Sequence, residues 1–145
     1  MTALYVQLYQ NRMVVRNLTT RQQASGNHVF SNQRIIIANF FEAEGFLAHL
    51  IQQVAPRTFM HFIPWVGRLD ILTHALEMNE GGLSAVEERA ILEMTFGASH
   101  GKCQYPKVID SETLLSDEEV LATLRGWNEA APRAQKPARG AKIIS

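Results

Sequence analysis

The residues best equipped for chemistry in this chain are few and scattered. His100 and Cys103 have H-x-x-C spacing, but no second pair accompanies them, and zinc needs three or four such ligands. The other histidines, His28, His49, His61 and His74, stand far apart in sequence. Cys103 is the only cysteine, flanked by Lys102 and Lys107, whose charges could favour a reactive thiolate; the alternative is a buried, inert thiol. No serine sits in a G-x-S-x-G elbow. The turn Asn79-Glu80-Gly81-Gly82 leads into a helix start, a generic place for an anion, but Glu80, Glu87 and Glu88 surround it with negative charge. Paired-metal nuclease chemistry needs clustered acids, and residues 1–41 contain none. These observations predict no catalytic residue, no cofactor and no metal site.

Two other groups suit binding. Arg12, Arg16, Arg21 and Arg34 give the first forty-one residues a wholly basic character, and a basic run 132–145 closes the chain. Between them, residues 70–131 hold twelve acids against four bases. Such asymmetry can steer a partner or favour head-to-tail association. The arginines could also touch nucleic acid, weakly, because only Tyr5 and Tyr9 offer stacking surfaces nearby. Phe59, Phe62 and Trp65, around Pro64, form an aromatic stretch. As an exposed loop it would be an interaction surface; as a strand or a sheet cover it would be core.

The elements that must position these residues follow from periodicity. Residues 4–9 alternate, with Leu4, Val6 and Leu8 on one face, and residues 12–18 form a second, β-branched run. Gln10-Asn11 is the tight turn between them. Residues 19–24 could be a third, edge strand, ended by the break Ser25-Gly26-Asn27. Three helices share a capping-box start: Asn39 with Glu42, Ser84 with Glu87, and Ser116 with Glu119. Their apolar stripes are Phe40, Ala43, Leu47, Leu50, Ile51 and Val54; Val86, Ala90, Ile91 and Met94; and Val120, Leu121, Leu124 and Trp127. Gly45 predicts close packing within the first helix, and Gly97 the end of the second. Residues 69–76 read as a central strand, and residues 104–109 as an edge strand entered through Pro106.

The expected fold is therefore α/β, with a mixed sheet that starts as an antiparallel hairpin, in the order β-β-β-α-β-α-β-α. One domain would span 1–131, followed by a disordered basic tail, 132–145. The N-terminus lacks a basic-then-apolar leader pattern and the longest apolar runs are too short for a membrane span, so the expected setting is cytoplasmic, away from membrane.

This order resembles the ribonuclease H-like fold, which also forms the core of the actin superfamily. Residues 36–54 and 82–91 look like the corresponding helix and strand-to-helix turn of the rod-shape bacterial actins. The resemblance places Gln7-Leu8-Tyr9-Gln10 where those actins carry an Asp-x-Gly-Thr phosphate turn. Gln7 then replaces the metal-holding carboxylate, and Tyr9 replaces the glycine that lets backbone amides approach phosphate. Glu87 falls where they carry the glutamate that positions water; its spacing from Ser84 also makes it a helix cap. More specifically, Phe30-SNQR, Ile37-ANFF, Ala75-LEMNEGGLS and Val86-EER, with the opening hairpin, are similar to the YjaA-type small enterobacterial stress-induced proteins. The two resemblances together imply a degenerate actin-like or ribonuclease H-like domain. Its expected role is non-catalytic and stress-related, through a protein partner or self-association. Weak nucleic-acid binding is the alternative.

Overall fold

A computed structural model describes residues 1–56, 67–78 and 80–134. The elements run β1 (Thr2–Tyr9), β2 (Arg12–Asn17), β3 (Gln23–Asn27), α1 (Phe40–Val54), β4 (Leu69–Ala75), α2 (Ala85–Ala98), β5 (Lys107–Asp110) and α3 (Asp117–Ala134). They build one five-stranded mixed sheet in the order β3-β2-β1-β4-β5. β2 runs antiparallel to β1 and β3, whereas β1, β4 and β5 are parallel. This is the α/β architecture and element order that periodicity predicts.

Alternation along the strands divides the core in two. Leu4, Val6 and Leu8 of β1, Met13 and Val15 of β2, and Ile71 and Ala75 of β4 face one side, where they pack against Ala43, Leu47, Leu50 and Ile51 of α1 and Ile91 and Met94 of α2. Tyr5 and Leu72 face the other side and meet Val120 and Leu124 of α3. α1 and α2 thus cover one face of the sheet and α3 the other, as a layered α/β domain requires.

Every helix start uses the side chain expected of it. Asn39 accepts from the Glu42 amide, Ser84 from the Glu87 amide, and Ser116 from the Glu119 amide. At the last two starts the acid also accepts from the cap residue's own amide. Ser84→Ala is expected to cost ~1 kcal/mol, and Glu87→Gln less, because glutamine still reaches the Ser84 amide. Urea denaturation of both variants checks this; a Ser84→Ala protein as stable as its parent would show that the cap contributes nothing.

Several boundaries differ from the sequence reading. The third strand begins where residues 19–24 were expected to be ending. The Asn17 carboxamide oxygen accepts from the amides of Thr19 and Thr20, and Arg21 takes a positive φ of 66°, so residues 18–22 are a turn. Ser25, Gly26 and Asn27 then lie within β3 rather than breaking the chain. Gly26 is there for close approach: a Cβ at that position would lie 2.9 Å from the Phe46 ring.

Gly97 does not end α2, which continues to Ala98; the chain reverses at His100 and Gly101, with φ of 55° and 77°. Gly97 faces Glu44 of α1, whose carboxyl carbon would lie 2.8 Å from an added Cβ. Gly45 itself has open space around it. Val86 is 78% exposed and so is not part of the α2 stripe, which is carried by Ile91, Leu92, Met94, Thr95 and Ala98. α3 extends to Ala134, past the domain boundary drawn at 131; Ala130, Ala131 and Ala134 are strong helix formers. The remainder of the expected tail, 135–145, and the aromatic stretch with Phe59, Phe62 and Trp65 lie outside the described residues. No helix among the described residues is long and apolar enough to cross a membrane.

Candidate functional site

In an open sheet with parallel strands, ligand chemistry gathers at the carboxyl ends of those strands. Here that edge is formed by the ends of β1, β4 and β5. On the α3 side of the sheet, β1 presents Tyr5, Gln7 and Tyr9, and β4 presents His74, which lies beside Gln7 in the parallel register. Ser111 follows directly on β5.

These groups form a connected set. The Tyr5 hydroxyl lies 2.6 Å from His74 Nδ1, and His74 Nε2 lies 2.8 Å from Ser111 Oγ. The Leu115 amide donates to the Tyr5 oxygen at 3.2 Å, and Ser111 Oγ donates to the Thr113 carbonyl at 3.3 Å. One tautomer satisfies all four contacts. The Leu115 N–H donates to Tyr5, Tyr5 donates to Nδ1, Nε2–H donates to Ser111, and Ser111 donates to Thr113. The opposite tautomer would make Ser111 donate to Nε2, giving up Thr113, and would leave the Tyr5 proton without an acceptor among the described residues. A serine nucleophile needs that opposite tautomer, because its base must hold a free Nε2. The favoured arrangement instead ties the segment 111–115 to the sheet.

Burial supports a neutral cluster. His74 is fully buried, and loss of solvation lowers its pKa below the ordinary 6.5. Burial likewise raises the Tyr5 pKa, opposed in part by the Leu115 amide. Gln7 is nearly buried and accepts from the Tyr9 hydroxyl at 3.0 Å. The Arg12 guanidinium carbon sits 4.7 Å from the centre of the Tyr9 ring, a cation–π contact. On the other side of the sheet, Asp110 accepts from the Leu83 amide at 2.7 Å and steadies the turn into α2. Glu87 caps that helix as described above.

The arginines are not equally placed. Arg12 and Arg16 lie on the same face of β2, but Arg16 is held by Asp117 through two bonds of 2.8 and 2.9 Å. That pairing depresses the Asp117 carboxyl below its ordinary value. Arg21 lies in the β2–β3 turn. Arg34 is elsewhere, lining a cavity of about 330 Å³ with Ser84 and Glu87. The basic front of the sequence is therefore partly neutralised by its acidic back.

Cys103 belongs to the apolar core, and burial pushes its thiol up to about 11. The Lys107 charge pulls the other way but is outweighed by burial, and Lys107 Nζ is bound to Asp70 at 2.6 Å, whose own charge raises the thiol further. Asp70 also accepts from the Asn128 amide nitrogen at 2.9 Å. Among the described residues no three His, Cys, Asp or Glu side chains come together as a metal site.

The sequence reading missed both buried polar clusters, Tyr5–His74–Ser111 and Asp70–Lys107–Asn128. The available signal was the period of β4. It places Asp70 and His74 on one face of a strand read as central, where each must find a partner.

The fold and this edge define a small three-layer α/β domain with a neutral, internally hydrogen-bonded polar cluster at its parallel-strand ends. The chain belongs to the family of the uncharacterised protein YjaA of Escherichia coli (strain K12). It is 45% identical to that protein over 126 residues, which span 86% of this chain and 98% of the relative. No protein-family model matches the chain, and no solved structure matches it.

Proposed function

We propose that this protein is a non-catalytic interaction protein built on a degenerate ribonuclease H-like or actin-like domain. It acts through a protein partner or by self-association in a bacterial stress response. The fold part draws support from the strand order β3-β2-β1-β4-β5, in which β2 alone runs against the others, with two helices on one face and one on the other. The stress setting rests on the resemblance to YjaA-type proteins alone.

One observation carries the non-catalytic reading. Where such a fold would need a metal-holding acid on β1, this chain has Gln7, and the residue beside it on β4 is His74. Gln7 is uncharged and already accepts from Tyr9, and His74 is committed to Tyr5 and Ser111. A neutral amide is a poor magnesium ligand beside a carboxylate, and Tyr9 puts a ring where backbone amides would have to reach phosphate. Calorimetry with Mg·ATP is expected to show no heat of binding. A micromolar affinity would overturn the degenerate-domain reading.

Weak nucleic-acid binding is the second reading, favoured by Arg12 and Arg16 sharing one face of β2. Affinity purification with and without nuclease separates the two. A partner that survives nuclease and is retained by an Arg12→Gln variant supports the interaction reading. Loss under nuclease favours nucleic acid.

A further inference from the structure

The sheet is open at β3, and the phase of its hydrogen bonds fixes what that edge offers. The Asn17 amide donates to the Gln22 carbonyl at 2.8 Å, and the His28 amide donates to the Asn11 carbonyl at 3.1 Å. Bonded and unbonded pairs alternate along an antiparallel ladder, so Val15↔Ala24 and Met13↔Gly26 are the bonded pairs between those two contacts. Gln23, Ser25 and Asn27 therefore turn their N–H and C=O groups away from β2. Among the described residues these groups have no hydrogen-bond partner. Monomeric proteins blunt such an edge with charge, proline or a bulge. The opposite edge does so: β5 has four residues, with Lys107 turned inward onto Asp70 and with Asp110 at its end. β3, Gln-Ala-Ser-Gly-Asn, has an unbroken register and neither charge nor proline. Beside it, the Phe46 ring lies over Gly26 and stays partly uncovered, and Val29, just past the strand, is 75% exposed.

We propose that the open edge of β3 is a self-association surface, on which β3 of a second copy of this chain pairs antiparallel about a two-fold axis at Ser25. In that register Gln23 faces Asn27 of the second copy, Ser25 faces Ser25, and Asn27 faces Gln23. Each of these is an outward-turned pair, so every free N–H meets a C=O. The side chains agree with the register. Ala24 is in the core and Gly26 faces Phe46, so Gln23, Ser25 and Asn27 share the other face of the sheet, all three exposed. Carboxamide then opposes carboxamide and hydroxyl opposes hydroxyl, cross-strand pairs that hydrogen-bond and bring no like charges together. A foreign strand could match the backbone; the match of side chains about one residue is what favours a second copy. The same patch on both copies is what a closed two-fold contact requires. Phe46 sits one residue from the axis, so the second copy covers the part of its ring left open. The proposal deepens the self-association arm of the reading above and rests on it; the protein-partner arm survives its failure.

Sedimentation of the full chain across a concentration series tests this, together with amide hydrogen exchange read by NMR. The expected result is a reversible dimer in which the Gln23, Ser25 and Asn27 amides become protected as concentration rises. Ser25→Lys sets two ammonium groups against each other at the axis and should weaken the dimer about tenfold or more. Its side chain points to solvent in the single chain, so folding is expected to stay intact. Ser25→Pro is the second variant: the N–H it removes serves no bond within β2–β3, and proline is tolerated on an edge strand in that position. Urea denaturation checks that each variant folds. A dimer with protected amides in the parent, weakened in the folded variants, supports the proposal. It is overturned by a monomer at every concentration, by a dimer in which those three amides exchange freely, or by a dimer that both variants leave at the parent's strength.

Discussion

Replacing Lys107 with methionine is expected to destabilise the protein by about 3–5 kcal/mol, the usual consequence of leaving one partner of a buried ion pair alone. The pair is well enclosed: the Lys107 and Asp70 side chains are 6% and 11% exposed, and their contact is 2.6 Å. Removing the ammonium would strand the buried Asp70 carboxylate with the Asn128 side-chain amide as its remaining side-chain donor among the described residues. The companion variant, Asp70→Leu with Lys107→Met, removes both charges and should recover most of the loss, because a buried pair contributes little net stability over an apolar replacement. Urea denaturation of the parent, the single and the double variant measures all three. A single variant within 1 kcal/mol of the parent, a threshold of about the size seen for exposed pairs, would mean that water reaches the pair.

The second large effect is expected at His74. His74→Leu leaves the buried Tyr5 hydroxyl proton without its acceptor and removes the donor to Ser111, and leaving a buried group unsatisfied costs about 1–3 kcal/mol. The effect has a pH signature. Because the folded pKa is lowered from 6.5, the unfolded chain takes up a proton that the folded protein refuses as pH falls below that value. Stability contributed by the neutral imidazole is complete above about pH 6.5, the unfolded value, and is lost as pH falls towards the folded pKa, with a limiting slope of about 1.4 kcal/mol per pH unit for one proton. His74→Leu should lack this component. The difference between the two pH profiles isolates it from the carboxylates that titrate lower. Profiles that run parallel from about pH 7 to 5, where histidine titrates, would show that His74 is solvated or charged in the folded protein.

Much of the architecture was legible because local signals agreed with one another. The alternation of residues 4–9, the Asn11 turn with its positive φ of 55°, and three capping boxes each act over a few residues. The mistakes arose where a distant group decides the conformation. Gly26 reads as a break until Phe46 of α1 is seen against it, and Gly97 reads as a helix end until Glu44 is seen there. The polar clusters were hidden for the same reason. Tyr5 and His74 are 69 positions apart, and Asp70 and Lys107 are 37 apart, joined only by parallel strand pairing. The resemblance to the bacterial actins, not spacing, is what implied that Gln7 and Tyr9 are unsuited to a phosphate turn. The structure adds that these two side chains bond to each other.

The tautomer of His74 decides whether the carboxyl edge is a closed structural cluster or an armed serine–histidine pair. Long-range nitrogen-15 correlation spectra at neutral pH report which ring nitrogen bears the proton. A neutral imidazole protonated at Nε2, with Nδ1 accepting from Tyr5, is the expected result. A ring protonated at Nδ1, with a free Nε2 facing Ser111 Oγ, would put a general base on a serine hydroxyl and contradict the non-catalytic reading.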